Sequence, residues 1–130
     1  AGVAAAHLTA GAPRWLAVPY GVGCFGLVAT VAFPTNAIGT AATVDTVLHR
    51  YAAGLFFVSL PVAAALSLRH HPNRAGRLLT AASVLIGLAF LASHLRQIAA
   101  VLPRGIAERA LLVVDIVLLA VLAAPRRAAR

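Results

Sequence analysis

Four long apolar runs, at roughly 15–33, 46–68, 77–99 and 106–124, leave this chain very little choice of fold. Each is close to the ~20 residues that a helix needs to cross the hydrocarbon core of a bilayer. Their ends carry helix-stopping residues. Pro34 closes the first run, Pro72-Asn73 lies in the turn after the second, Pro103 precedes the fourth and Pro125 ends it. Pro61 falls inside the second run, so it should kink that helix and release the carbonyl near Phe57, which Ser59 or a neighbouring helix would satisfy. Composition decides between a membrane bundle and a buried soluble core. Apolar residues make up 62% of the chain and charged residues 11%, against roughly 45–50% and about 25% in soluble domains. A domain of 130 residues leaves too much surface in water to hide that excess. The expectation is an all-α polytopic bundle, one transmembrane domain over 1–130.

The formal charge of +8 raises the question of nucleic acid. All the basic residues are arginines placed at the ends of apolar runs, with no stripe of interleaved aromatics, so nucleic acid is excluded as a partner and topology accounts for them. The absence of lysine and the abundance of alanine point to a bacterial source. Short connections make consecutive helices antiparallel neighbours. Arg14, Arg69, Arg74, Arg77, Arg126, Arg127 and Arg130 then share one face with His70 and His71, while Arg50, Arg96, Arg104 and Arg109 share the other with Asp45 and Glu108. The richer face is expected to be cytoplasmic. That places loop 69–77 and the C-terminus, 125–130, inside a bacterial plasma membrane. Trp15 and Tyr51 suit the two interfacial belts.

Residues 1–12 are apolar and have no basic leader. They read as the tail of a preceding helix, so the chain is expected to be a piece of a longer protein. Gly21-Val-Gly23-Cys-Phe-Gly26 has the glycine spacing of a dinucleotide-binding turn, but no strand precedes it. Small residues that admit a close helix neighbour are the better reading. Cys24 is the single cysteine, which rules out an internal disulfide or a cysteine metal cluster and suits a packing role.

The remaining polar residues carry whatever chemistry there is. Around the Pro72 turn, His49 and His94 are about equally distant and should lie at one depth, with Ser93, Arg96 and Gln97 on the same stretch. Asp45 and His49, four apart, share a helix face. Glu108 opens the fourth helix, and Asp115 follows two turns later on the same face. Asp115 lies mid-span, where an ionised carboxylate costs about 2.5–3.5 kcal/mol on insertion scales. It must be protonated, paired or wet. Set one turn below the histidines, it completes an expected pocket of Asp45, His49, Ser93, His94, Glu108 and Asp115, with Arg50, Arg96 and Arg109 at the rim. Structural roles stand beside this one. Asp45 and Glu108 suit helix first turns as caps, the arginines can snorkel, His94 can bond a neighbouring helix, and Asp115 can be half of a packing pair.

Phe33-Pro34-Thr35 closing one helix, Leu48-His49 at the head of the next, Leu60-Pro61 late in it and Gly105-Ile-Ala-Glu108-Arg109 opening the last together resemble a bacterial and archaeal membrane family, the domain of unknown function 998. The resemblance spans roughly residues 15–124. It implies about six transmembrane helices, with residues 1–12 ending the second, and brings no activity with it.

Several functions fit these residues. The thin supply of chemistry favours a non-catalytic accessory or scaffold subunit, or a lipid-binding bundle, whose partners are the bilayer and other membrane subunits. An intramembrane hydrolase acting on lipid would use zinc on His49, His94 and Asp115, with Ser93 assisting. Paired histidines at His49 and His94 could ligate haem. Asp115 and the histidines could also relay protons in transport.

Overall fold

The computed structural model describes residues 13–36, 41, 43–92 and 104–124. A single 3-10 turn, Arg14–Leu16, runs into α1 (Ala17–Ala32), followed by α2 (Val44–His70), α3 (Arg74–Ala92) and α4 (Arg104–Ala123). No strand occurs among the described residues. The fold is the expected all-α helical bundle. The expected segment 93–99 of the third helix, with Ser93, His94, Arg96 and Gln97, lies outside the described residues, as do residues 1–12 and 125–130.

Helices α2 and α3 start a little before their apolar runs, and local capping explains both. Thr43 stands before α2 in an extended conformation, and its hydroxyl accepts the Thr46 N–H at 3.4 Å. Asp45 then falls in the first turn of α2, where a carboxylate complements the positive end of the helix. Asn73 does the same for α3, its Oδ1 accepting the N–H groups of Ala75 at 3.0 Å and Gly76 at 3.3 Å.

Helix α2 is the axis of the bundle. Its buried face runs through Ala52, Phe56, Leu60, Ala63, Ala64 and Leu68, and every other helix packs on it. One core cluster joins Tyr20 of α1 to Phe56, Leu60 and Ala63, with Phe57 and Leu119 against it. A second joins Ala64 and Leu68 to Leu118 and Leu122 of α4, with Leu79 beside them. Pro61 is buried within an unbroken α2. The Ser59 hydroxyl turns back to the Phe56 carbonyl at 3.2 Å, one residue short of the Phe57 carbonyl it was expected to serve.

The glycines of α1 behave as packing residues. A Cβ on Gly26 would lie 2.7 Å from the Ala52 carbonyl oxygen and 2.9 Å from the Phe56 nitrogen, so the two backbones touch there. On Gly23 it would meet the Ser59 Oγ at 2.8 Å. Gly21 faces open space. The α1–α2 crossing therefore needs hydrogen at two of the three glycines, as close helix pairs in lipid do.

The outward faces are apolar. Val31 is 81% exposed, Val28 68% and Leu91 67%, a surface that lipid accepts and water does not. Arg14–Ala32, Val44–His70 and Arg74–Ala92 are each long and apolar enough to cross a membrane. At 20 residues α4 has the length too, about 30 Å at 1.5 Å per residue, but it carries Arg104, Glu108, Arg109 and Asp115. The protein is an integral membrane helical bundle.

Candidate functional site: the polar seams of the bundle

Lipid offers no hydrogen bonds, so each polar side chain inside the bundle must find a partner in the protein. Three such systems stand out, and each joins two helices. Near one end Tyr20 of α1 and Ser67 of α2 share a hydrogen bond of 2.9 Å between hydroxyls. Ser67 is fully buried. Trp15 and His70 meet edge to face at the same end, with ring centroids 6.3 Å apart.

At the opposite end α1 stops at Phe33 because Pro34 cannot continue the helix, leaving the last carbonyls without intrahelical donors. His49 supplies one. Its Nδ1 lies 2.8 Å from the Phe33 oxygen and 3.0 Å from the Thr30 oxygen. Carbonyls only accept, so Nδ1 carries the hydrogen and donates to both. Asn36, Thr43 and Thr46 brace the same junction. The Asn36 N–H reaches the Thr46 hydroxyl at 3.3 Å, and the Thr43 hydroxyl donates to Asn36 Oδ1 at 3.2 Å.

The third system lies between α3 and α4. The Ser83 hydroxyl donates to Asp115 Oδ1 at 2.6 Å, with both residues buried. The second carboxylate oxygen, Oδ2, is also buried and has no hydrogen-bond partner among the described residues.

Three of the residues singled out in the sequence gather around one turn of α1. A cavity of about 330 Å³ is lined by Leu27, Thr30, Phe56 and Leu112 together with Glu108 and Arg109. Its Thr30 is the residue whose carbonyl His49 holds. Glu108 and Arg109 are themselves exposed, as are Asp45 and Arg50. Ser93, His94 and Arg96 fall outside the described residues.

Asp115 does not join this group. Leu118 and Leu122 of α4 share one buried cluster with Ala64 and Leu68 of α2, so α4, running parallel to α2, sets Asp115 roughly level with Pro61. That is twelve residues beyond His49, about 18 Å along the axis. The expected single turn between them is corrected accordingly. The physical reason is stagger: α4 begins level with Arg50, so two turns down α4 from Glu108 reach far below the mouth of α2. The Asp115 carboxylate instead faces Ser83. No group of three or more His, Cys, Asp or Glu side chains that could hold a metal occurs among the described residues.

Ser83, Tyr20, Ser67 and Thr30 were not singled out in the sequence. A hairpin between the third and fourth runs, 77–99 and 106–124, turns near residues 102–103 and would set Ser83 opposite Leu122, so the sequence offers no signal for its pairing with Asp115. Isolated hydroxyls such as Ser67 give no such signal, because a serine or threonine in an apolar helix can bond its own backbone. Thr30 and Thr80 do so here, donating to the carbonyls of Gly26 at 2.7 Å and Gly76 at 2.8 Å.

No curated protein and no solved structure matches the chain. A family model described as a protein of unknown function, DUF998, matches residues 1–125, and so takes in every helix described above as well as residues 1–12. With that match over nearly its whole length, the chain belongs to the DUF998 family.

Proposed function

We propose that this chain is a non-catalytic module of a bacterial plasma membrane, an accessory or scaffold bundle that works by packing against lipid and against other membrane subunits. The observation that carries this reading is the use made of the interior polar groups. Tyr20–Ser67, His49 with Thr30 and Phe33, and Ser83–Asp115 all join one helix to another. Side chains spent in that way build a rigid body with an apolar exterior. The arginine-rich end, with Trp15 beside His70, faces the cytoplasm in this reading, which keeps loop 69–77 and residues 125–130 inside.

Co-purification from native membranes with mass spectrometry tests the proposal. A membrane-protein partner, or a retained lipid, is expected at near-stoichiometric yield. Alanine at both His49 and Asp115 should lower assembly and yield. A chain that isolates alone and lipid-free, with the double variant assembling normally, would overturn it.

A second reading is lipid hydrolysis with a metal in the headgroup region, and it has one observation behind it. Glu108 and Arg109 line a cavity on the turn of α1 that His49 holds. Zinc analysis of protein purified without chelators tests it, and a metal-free preparation that stays folded removes it. The same preparation shows by its visible spectrum whether haem is bound.

A further inference from the structure

A carboxylic acid in the middle of a helix of this bundle, buried and given one hydroxyl partner, has too few donors to be a carboxylate. Asp115 is fully buried near the midpoint of α4. An ionised carboxylate has two oxygens that together accept about four hydrogen bonds. Here Oδ1 receives one, from Ser83, and the buried Oδ2 receives none among the described residues. No cation compensates among the described residues. Of the charged and titratable side chains on the surrounding helices, α4 has Glu108 and Arg109 about two turns away. Helix α3 has Arg74 and Arg77 at its start. Helix α2 has Asp45, His49, Arg50 and Tyr51 at one end and Arg69 and His70 at the other, and on α1 the Tyr20 hydroxyl is held by Ser67. None is bonded to the Asp115 carboxyl among the described residues.

Ser83, the partner of this acid, also lines a cavity. This cavity of about 460 Å³ between α2 and α3 is lined by Pro61, Val62, Thr80, Ser83, Gly87 and Leu111. Ser83 therefore lies between the acid and the cavity, with its hydroxyl oxygen on Asp115 Oδ1. A hydroxyl both donates and accepts, so Ser83 can take a proton from a water in the cavity while passing its own to Oδ1, and a half-turn of the carboxyl then places that proton on the inner oxygen and returns an acceptor to the serine.

We infer that Asp115 is a reversible intramembrane proton-binding site, with the proton on Oδ2 and Ser83 between the acid and the α2–α3 cavity. The ligand is the proton, and the α3–α4 seam is joined through a neutral acid. This goes beyond the scaffold reading and does not depend on it.

Infrared spectroscopy of the reconstituted full chain tests the inference, and the sequence makes it tractable. Asp45, Glu108 and Asp115 are the only acidic side chains in the chain, and the first two are exposed. At neutral pH the wild-type protein should show one protonated-carboxyl C=O band that is absent in D115N. In S83A, which loses the donor to Oδ1, that band should move to higher frequency. It should shift when the bilayers are moved into D2O and should be lost as pH is raised. No such band at neutral pH would mean that Asp115 is ionised, which overturns the inference. A band that neither shifts in D2O nor responds to pH would mean a sealed structural acid, and overturns the reversible binding. Should D115N fail to fold, the wild-type and S83A spectra still decide the matter. Co-purification of partners is unaffected by either outcome, so the scaffold reading stands or falls separately.

Discussion

The Nδ1 of His49 lies 2.8 Å from the carbonyl oxygen of Phe33 and ties the mouth of α2 to the end of α1. Two of the short motifs that resemble the family, Phe33-Pro34-Thr35 and Leu48-His49, meet in this one contact. Pro34 ends the helix and orphans its last carbonyls, and the imidazole of His49, sixteen residues after Phe33, supplies the missing donor.

His49→Ala should therefore leave two carbonyls short of a donor. The expected loss is about 1–2 kcal/mol, within the range for unmet polar groups at partly buried sites. Reversible unfolding in mixed micelles measures it. Faster amide exchange confined to residues near Thr30 and Phe33 would show that the effect is local.

The glycines of α1 should separate cleanly. Gly26→Ala places a methyl group 2.7 Å from the Ala52 oxygen and 2.9 Å from the Phe56 nitrogen. Backbone cannot move aside as a side chain can, so the α1–α2 crossing must open, at a cost of about 1–3 kcal/mol as in other overpacked sites. Gly21→Ala meets nothing within 4 Å and should be neutral, or stabilising by about 0.5–1 kcal/mol through helix propensity. Equal effects in the same unfolding assay would refute the close crossing.

Tyr20→Phe and Ser67→Ala each remove one half of a buried hydroxyl pair. Interhelical hydrogen bonds in membrane proteins couple by about 0.6 kcal/mol on average and about 1.7 at most. A double-mutant cycle should give a coupling in that range. Zero coupling would mean that the two hydroxyls do not meet.

Ser83→Ala removes the only donor to Asp115 among the described residues and should cost about 1–3 kcal/mol. Asp115→Asn keeps a carbonyl acceptor for Ser83 at nearly the same volume, so it should be tolerated better than Asp115→Leu, which strands the serine and adds bulk to a filled seam. Folded yield and thermal midpoint in detergent give the order: wild type, then Asn, then Leu. The reverse order would show that the hydrogen bond contributes nothing to the α3–α4 seam.

Sidedness has its own test. A single cysteine at Asn73, in a Cys24→Ala background, should react with a membrane-impermeant maleimide only in inverted vesicles or after permeabilisation. Reaction in intact cells would reverse the proposed orientation.

How much was legible beforehand varied by residue, and distance along the chain explains the variation. Apolar runs, prolines and capping residues act within a few positions, so the helices over 14–32, 44–70 and 104–123 were readable to within two or three residues. The packing role of Gly23 and Gly26 was readable because a dinucleotide turn needs a strand that is not there. The partner of Asp115 was a different matter. Its need for one followed from its depth alone, whereas Ser83 is one of several isolated hydroxyls and no register along the chain pointed to it. Counting two turns from Glu108 set Asp115 just below His49.

Four apolar helices were written in the chain, because hydrophobic length and backbone hydrogen bonding in a membrane leave no other solution. The chain also determined that Asp115 could not stand alone. The stagger between α2 and α4 came from packing. It sets Asp115 about 18 Å along the axis from His49, leaves the imidazole to the end of α1 and leaves the acid to Ser83. Stagger is set by which small and large side chains interlock across a crossing, Gly26 on Ala52 and Leu118 beside Ala64. No local rule along the chain encodes it.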